Sequence, residues 1–163
     1  MIAKEKFKAI YKSTYPKVMR LCLGYVEGDK NQAQEIAQDV FIKVWQNFDQ
    51  FRNESSISTW IYRITVNTCL SSFRTKRKAP VQINNHLAQL SDDSEPASEL
   101  KEWQLQQLYN CINKLNSDNK AIILLNLEGL PQKEIAEITV ISHQAIRTRL
   151  HRIKESLSKC VKI

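Results

Sequence analysis

One stretch of the chain carries the residue types that bind unpaired bases and phosphates. It runs from Phe48 to Lys78 and reads FDQFRNESSISTWIYRITVNTCLSSFRTKRK. Trp60 and Tyr62 offer flat apolar faces on which a base can stack, and Asn67 offers an amide that can hydrogen-bond a base edge. The stretch ends in cations that can neutralise neighbouring phosphates, namely Arg74, Lys76, Arg77 and Lys78. Together these features predict binding of nucleic acid.

A polar loop, residues 49–56, precedes the helix predicted for this stretch. Ser55 or Ser56 can cap the free backbone N–H groups at the start of that helix, and an extruded base could lodge beside them. Trp60 has an alternative role as a core residue, because four residues follow helical spacing: Ile57, Trp60, Ile61 and Ile64. The basic run has an alternative role as a solvated surface. The spacing leaves both pairs of alternatives open.

Composition and charge predict the overall organisation. The 163 residues include three Gly and four Pro, and helical periodicity extends over most of them, which predicts an all-α fold. Residues 1–78 carry 14 Lys/Arg and 7 Asp/Glu, residues 79–99 carry none and 4, and residues 100–163 carry 10 and 6. We therefore predict two small helical domains, 1–78 and 99–163, joined by a flexible acidic linker over 79–98.

The cysteines and the apolar segments indicate a reduced cytoplasmic protein. The four cysteines are far apart, show no metal-ligand spacing and are each predicted to be buried free thiols: Cys22, Cys69, Cys111 and Cys160. We expect no metal and no cofactor. A membrane-spanning helix needs about 18 consecutive apolar residues, and neither such a run nor the apolar region of a signal peptide is found.

Helical periodicity predicts the elements of the first domain. Helices over 3–14 and 17–26 are expected to be separated by a break or kink at Pro16, which lacks a backbone donor. The next helix, capped by Asn31, presents one apolar stripe: Ala33, Ile36, Ala37, Val40, Phe41, Val44, Trp45 and Phe48. Its other face is polar except for Ile42.

The second domain is predicted to contain four helices. The first begins near Ser98 and has an inward stripe of Leu100, Trp103, Leu108, Ile112 and Leu115. Ser117 and Asp118 are expected to cap the second, which Gly129 ends. Its apolar residues are Ala121, Ile122, Leu124, Leu125 and Leu127. Pro131 suits the first turn of the third helix, and Ser142 caps the last, over 143–158.

The last two helices have the spacing of a helix-turn-helix. Ala136 is small where the helices would cross, Ile141 falls in the turn, and Ile146 would insert between the helices. Val140 stands at the turn position usually held by Gly. Because a β-branched residue disfavours positive φ, the turn is expected to be either rebuilt or strained.

The last helix presents an apolar face and a basic face. The residues expected to face inward are Ala145, Ile146, Leu150, Ile153 and Leu157. Side chains near the start of a recognition helix reach base edges in the major groove. We therefore predict base contacts from His143, Gln144, Arg147 and Thr148, and phosphate contacts from Arg149, Arg152 and Lys154. The alternative is that the helix is a basic, solvated surface.

Two runs of sequence resemble one protein family. AQEIAQDVFIKVW, followed by FRNESSISTWIYRITVNTCLSSFRTKRK, looks like the promoter-melting domain of the extracytoplasmic-function (ECF) group of bacterial sigma factors, in the sigma-70 family. GLPQKEIAEITVISHQAIRTRLHRIKESL resembles the helix-turn-helix domain of the same family, and the two runs occur in the family's order. The resemblance implies a promoter-specificity subunit that binds core RNA polymerase, recognises the minus-ten and minus-thirty-five elements and helps to melt the DNA.

The resemblance also implies residue roles and partners. Residues 1–78 would be a region 2-like domain and residues 99–163 a region 4-like domain, with the linker threaded near the RNA exit path of the polymerase. Core polymerase would dock on the exposed face of the helix that contains QDVFIKVW, through Glu35, Gln38, Asp39, Ile42 and Lys43. Minus-ten recognition and melting would involve Phe51, Arg52, Ser55, Ser56, Trp60, Arg63, Asn67, Arg74, Lys76 and Arg77. An anti-sigma factor, often membrane-anchored in this family, is a further expected partner, and no small-molecule substrate is expected.

Two other classes of function are alternatives for this sequence. A free-standing helix-turn-helix regulator would bind duplex DNA without polymerase and would use residues 1–78 as a dimerisation domain. An enzyme is disfavoured, because the sequence has no nucleophile–base constellation and no phosphate-cradling Gly-rich loop. The histidines, His86, His143 and His151, fall in the linker or on a basic helix.

Overall fold

The computed structural model describes residues 2–51, 56–76 and 96–161. Within these ranges it has α-helices, one short 3-10 helix and no strand. The helices are α1 (Ile2–Tyr25), α2 (Lys30–Gln46), the 3-10 helix (Phe48–Gln50), α3 (Ile57–Lys76), α4 (Pro96–Ile112), α5 (Ser117–Leu127), α6 (Gln132–Thr139) and α7 (His143–Cys160). The predicted all-α fold is confirmed. None of the helices described here combines the length and the apolar character needed to cross a bilayer.

Helices α1, α2 and α3 pack against one another as an N-terminal bundle. Contrary to the prediction of two helices, α1 continues through Pro16. Pro16 and Lys12 are both exposed, so the Lys12 carbonyl that loses its helical donor can be hydrated. Residues on both sides of Pro16 are buried against the bundle, namely Thr14, Val18, Leu21 and Cys22. Burial of this continuous face offsets the lost hydrogen bond.

Helix α2 begins two residues earlier than predicted and buries a shorter stripe. Asp29, and not Asn31, is its N-cap, with Oδ1 accepting from the backbone N–H groups of Asn31 at 3.1 Å and Gln32 at 3.3 Å. The predicted stripe is buried from Ala33 to Val44, whereas Trp45 is 48% exposed. The Trp45 ring lies at the edge of the stripe and meets Phe7 of α1 edge-on, with ring centroids 5.0 Å apart.

Helices α4 to α7 form a C-terminal bundle. The predicted inward stripe of α4 is only partly right, because Leu100 and Trp103 are more than half exposed while Ile112 is fully buried. Leu127 at the end of α5 is also exposed. The N-cap of α5 is Asn116, whose side chain accepts from the Asn119 N–H at 2.9 Å, one residue before the predicted cap region. Gly129, with φ of +85°, follows the end of α5 as predicted.

The two bundles are in contact through α1 with α4 and α5, and through α3 with α6. The Arg20 guanidinium on α1 forms a bidentate ion pair with the Glu128 carboxylate. Its Nε and Nη2 atoms each donate to a carboxylate oxygen at 2.9 Å. Lys120 of α5 is buried and donates from Nζ to the Tyr25 carbonyl oxygen at 3.2 Å. It also donates to the Asn113 side-chain oxygen. Burial lowers the pKa of Lys120 to about 8.

The prediction of four free cysteines is wrong for two of them. Cys111 of α4 and Cys160 of α7 are joined by a disulfide, with Cα atoms 6.0 Å apart. The sequence separation of 49 positions between them hid the pairing in the sequence. Cys22 and Cys69 are buried free thiols, as predicted. The Cys69 thiol donates a hydrogen bond to Cys22, and this bond together with burial raises the pKa of the Cys69 thiol.

Candidate nucleic-acid and polymerase interfaces

Helix α7 combines a buried apolar face with an exposed polar face. Its N-cap is Ser142, whose Oγ accepts from the Ala145 N–H at 3.2 Å, as predicted. The inward face is buried at Ile146, Leu150, Ile153 and Leu157. The candidate DNA-binding residues on the other face are exposed, namely His143, Gln144, Arg147, Thr148, Arg152 and Lys154. The helix therefore presents its base-reading candidates on one side, beside its capped N-terminus.

The turn before α7 has the left-handed residue that a helix-turn-helix requires. Val140 has φ of 58° and ψ of 38°, and its side chain is 84% exposed. The Ile141 N–H donates to the Ala136 carbonyl oxygen at 3.3 Å, which closes the turn. Of the two expected outcomes, the turn is strained and not rebuilt, because a β-branched residue occupies the αL region.

Arg149 differs from the other basic candidates on α7. It is half-buried, and its Nη1 lies 3.7 Å from the carboxylate of Asp118 at the start of α5. A shallow depression of about 350 Å³ lies on this side of the helix and is lined by Ser142, Gln144, Ala145, Thr148, Arg149 and Arg152. Because the ion pair is exposed, it is weak and open to competition from a phosphate.

The aromatic part of α3 is divided between a surface and the interface of the bundles. Trp60 is half-buried and packs on Phe51 with ring centroids 5.1 Å apart, while Asn67 is exposed. Ser56 caps α3 through the Thr59 N–H at 3.1 Å, as predicted. Tyr62 is 4% exposed, which contradicts its predicted role as an open stacking platform. Burial raises its pKa to about 12.

Arg63, one of the minus-ten candidates, is hydrogen-bonded to the C-terminal bundle. Its guanidinium donates to the Glu137 carbonyl oxygen of α6 at 2.9 Å. Arg52, Ser55, Arg77 and Lys78 lie outside the described residues, as do the side chains of Arg74 and Lys76.

All five residues predicted to dock on polymerase lie on the exposed face of α2. They are Glu35, Gln38, Asp39, Ile42 and Lys43, and Ile42 is 48% exposed. Lys43 also reaches α3, where its Nζ donates to the Thr68 hydroxyl at 3.2 Å. The polar face of α2 therefore carries one large apolar side chain in contact with solvent.

Sequence reasoning missed an apolar groove that continues from this face onto α1. The groove has a volume of about 710 Å³. Its apolar lining is Phe7, Tyr11, Tyr15, Phe41, Ile42 and Trp45, and its polar lining includes Gln34, Gln38 and Gln46. Lys4 and Lys8 stand at its rim. The separate helical stripes contained the signal, because Tyr11 and Trp45 each lie at the edge of one. Only the packing of α1 on α2 joins those edges.

Comparisons with known proteins identify the family. The family model described as Sigma-70 region 2 matches residues 10–79, and the model described as Sigma-70, region 4 matches residues 105–157. The chain is 30% identical to the ECF RNA polymerase sigma-E factor of Haemophilus influenzae, over 94% of this chain and 86% of the relative. It is 31% identical to the Escherichia coli K12 sigma-E factor, over 89% of this chain and 81% of the relative.

Solved structures share the fold over nearly the whole chain. The sigma factor RpoE in complex with the anti-sigma factor NepR from Bartonella quintana aligns with a TM-score of 0.75 at 21% identity, over 98% of each chain. CnrH in complex with the cytosolic domain of CnrY aligns with a TM-score of 0.72 at 18% identity, over 96% of this chain and 87% of that one. The two family models and the relatives at 30% identity and above show that this chain belongs to the sigma-70 family and is an ECF RNA polymerase sigma factor.

Proposed function

We propose that the chain docks on core RNA polymerase through α2 and the adjoining groove, and that α3 and α7 then engage the two promoter elements. Residues 1–78 would form the docking and melting domain, residues 79–98 the linker and residues 99–163 the upstream reader. The observation that carries this proposal is the pair of separate exposed faces: a basic one on α7 and one with an apolar centre on α2.

The α2 face and the groove support docking of a helical partner. Ile42 and Trp45 are each 48% exposed and line the groove of about 710 Å³, so that apolar surface is open to a partner's apolar side chains. Glu35 and Asp39 flank Ile42 on the exposed side of α2, whereas Lys4 and Lys8 flank the groove on α1. An amphipathic helix of the polymerase clamp, with basic residues over α2, would complement this surface.

The bundles must separate before both promoter elements can be read. The minus-ten and minus-thirty-five elements lie about 25 base pairs apart, which is about 85 Å of B-DNA. The longest helix, α1, has 24 residues and a length of about 36 Å. We call the arrangement in which the two bundles are in contact the closed arrangement. In it Arg63 of α3 contacts α6, the helix next to the proposed DNA-reading helix α7. The 19 residues between α3 and α4 could extend to about 65 Å, which permits separation.

An anti-sigma factor is a further proposed partner. One aligned structure is a sigma factor bound to the anti-sigma factor NepR, and the other is CnrH bound to the cytosolic domain of CnrY. A partner of this kind, whether soluble or anchored to a membrane, would compete with polymerase for the exposed α2 face and the groove. The chain would act in the cytoplasm, where core polymerase meets the chromosome. It needs no catalytic residue, cofactor or small-molecule substrate, because core polymerase carries out RNA synthesis.

The experiment must separate this function from that of a free-standing helix-turn-helix regulator. Electrophoretic mobility of promoter DNA is measured with the chain alone, with core polymerase alone and with both. We expect a specific shifted complex that needs both proteins. A specific complex with the chain alone, unchanged by core, would support the regulator instead.

A pair of matched variants then tests the docking face. Asp39→Arg with Ile42→Glu changes two exposed residues of α2 and leaves its buried stripe intact. We expect this double variant to lose core-dependent binding at normal helicity by circular dichroism. Glu102→Arg, an exposed charge reversal on α4, is the control and should bind core as the parent chain does.

A further inference from the structure

The C-terminal bundle holds a covalent link that its proposed role in DNA reading does not require. Cys111, in the last turn of α4, is bonded to Cys160, the last residue of α7. The chain's other two cysteines, Cys22 and Cys69, are buried thiols in the N-terminal bundle. The cysteines of the C-terminal bundle are therefore oxidised, whereas those of the N-terminal bundle are reduced.

The two residues of this pair differ in exposure to solvent. Cys111 is 5% exposed, whereas Cys160 is partly exposed and packs at the edge of the core beside Val161. A soluble reagent therefore reaches Cys160 first. Because Cys160 is the last residue of α7, its backbone can move during a reaction at its sulfur without unwinding the centre of the helix.

We propose that Cys111 and Cys160 form a reversible thiol–disulfide site, through which a small-molecule disulfide sets the stability of the C-terminal bundle. The physiological meaning rests on the proposed function, because a polymerase subunit works in a compartment whose disulfides are mostly transient. The chemistry itself depends only on the two residues and their separation. Their Cα atoms, 6.0 Å apart, lie within the range that a disulfide spans.

The oxidation is a pair of exchange steps. The Cys160 thiolate attacks one sulfur of the small disulfide, forming a mixed disulfide and expelling one small thiolate. The Cys111 thiolate then attacks the Cys160 sulfur, which closes the intramolecular bond and expels the second small thiolate. The two protein thiols lose two electrons and two protons, and the small disulfide gains them as two thiols. Excess small thiol reverses both steps.

The bond acts on stability and not on base contact. Thr148, the last predicted base-reading residue, lies 12 positions before Cys160, which is about 18 Å along a helix. The bond instead closes a loop of 49 residues that contains α5, α6 and α7. A loop of this size restricts the unfolded chain strongly, so that the oxidised bundle is the more stable one. Helix α4 also contacts α1 and the turn that follows it, where the Gln106 amide donates to the Glu27 carbonyl oxygen at 3.1 Å.

The test uses the full chain equilibrated in buffers of reduced and oxidised glutathione. Thiols are counted after denaturation, and thermal unfolding is followed on the same samples. We expect four thiols in the reduced chain and two in the oxidised chain, with the unfolding temperature of the oxidised form higher by roughly 5–10 °C. Cys160→Ser and Cys111→Ala should each abolish the redox-dependent shift. Lys159→Ser, an exposed neighbour of the pair, should retain it.

Three outcomes would overturn the proposal. The first is four thiols under every buffer, and the second is a bond that forms without a change in unfolding temperature. The third is a bond that stays closed in glutathione poised as in a reducing cytosol, which would make it a permanent link. These readouts do not depend on promoter binding. Loss of the core-dependent DNA complex would therefore count against the proposed function and leave the redox site standing.

Discussion

Gly24 on α1 lies so close to Leu124 on α5 that a Cβ atom at position 24 would overlap the leucine side chain. Leu124 is 4% exposed at the contact between the bundles and has little room to move. Gly24→Ala is therefore expected to weaken the closed arrangement by about 1–3 kcal/mol, although alanine favours helix α1 itself. The measurement is the radius of gyration of the free chain in solution, which should increase.

Two controls accompany this change. Lys17→Ala, at an exposed position of α1, should leave the radius unchanged. Leu124→Ala combined with Gly24→Ala removes the side chain that is overlapped and should recover part of the compactness. A Gly24→Ala chain as compact as the parent would show that Leu124 gives way without cost.

The stability of the closed chain is expected to depend on pH through Lys120. Its pKa is lowered to about 8 in the folded chain from an ordinary value near 10.5, so the unfolded chain binds more protons between these two values. Stability should therefore rise with pH from about 8 to 10, and the penalty for burying the charge remains complete below pH 8. Above about pH 10 ionisation of unfolded tyrosines opposes the trend, because the Tyr62 pKa is raised to about 12.

The comparison variant is Lys120→Met, which keeps an apolar stem and removes the amine. Denaturant unfolding is measured for both chains at several pH values. The difference between their free energies of unfolding should change by roughly 2–3 kcal/mol in favour of the parent chain as the pH rises. A difference that stays constant with pH would show that Lys120 retains its ordinary pKa.

Val140→Gly should stabilise the helix-turn-helix. Val140 holds φ of 58° with its side chain 84% exposed, so glycine would relieve backbone strain and lose little burial. We expect a gain of about 1 kcal/mol in the free energy of unfolding, measured with denaturant. Val140→Ala should give a much smaller gain, since it keeps a Cβ atom. If Val140→Gly and Val140→Ala changed the free energy of unfolding equally, the Cβ atom of Val140 would not be the source of the backbone strain.

Helix α7 should separate base reading from phosphate binding. Arg147 and Lys154 are both exposed, and Arg147 lies one turn into the helix while Lys154 lies in its second half. With core polymerase present, Arg147→Ala should cost about 1–3 kcal/mol mainly on the preferred promoter and reduce discrimination at one upstream position. Lys154→Ala should weaken binding to all sequences alike and lower the salt slope by about one. Titration against promoters altered one base at a time distinguishes the two, and a uniform loss for Arg147→Ala would contradict base contact.

The sequence predicted what depends on local periodicity and missed what depends on contacts between distant helices. The buried face of α7, from Ile146 to Leu157, follows from helical spacing, and its cap at Ser142 follows from side-chain chemistry. The burial of Tyr62 could not be predicted from local spacing, because α3 packs against helices that are distant in the sequence, α1, α2 and α6. The Cys111–Cys160 bond and the aromatic groove have the same origin, since each joins residues from two separate helices.

Run-off transcription with purified core polymerase and a library of genomic promoter fragments tests the central claim most directly. We expect transcripts only when the chain and core are both present, from templates that share two sequence elements separated by about 25 base pairs. Arg147→Ala should change the preferred upstream element without changing the downstream one. The contradicting result is the absence of promoter-specific transcripts when the chain has normal helicity by circular dichroism and core polymerase elongates RNA on other templates. The proposal that this chain directs core polymerase to promoters would then be wrong.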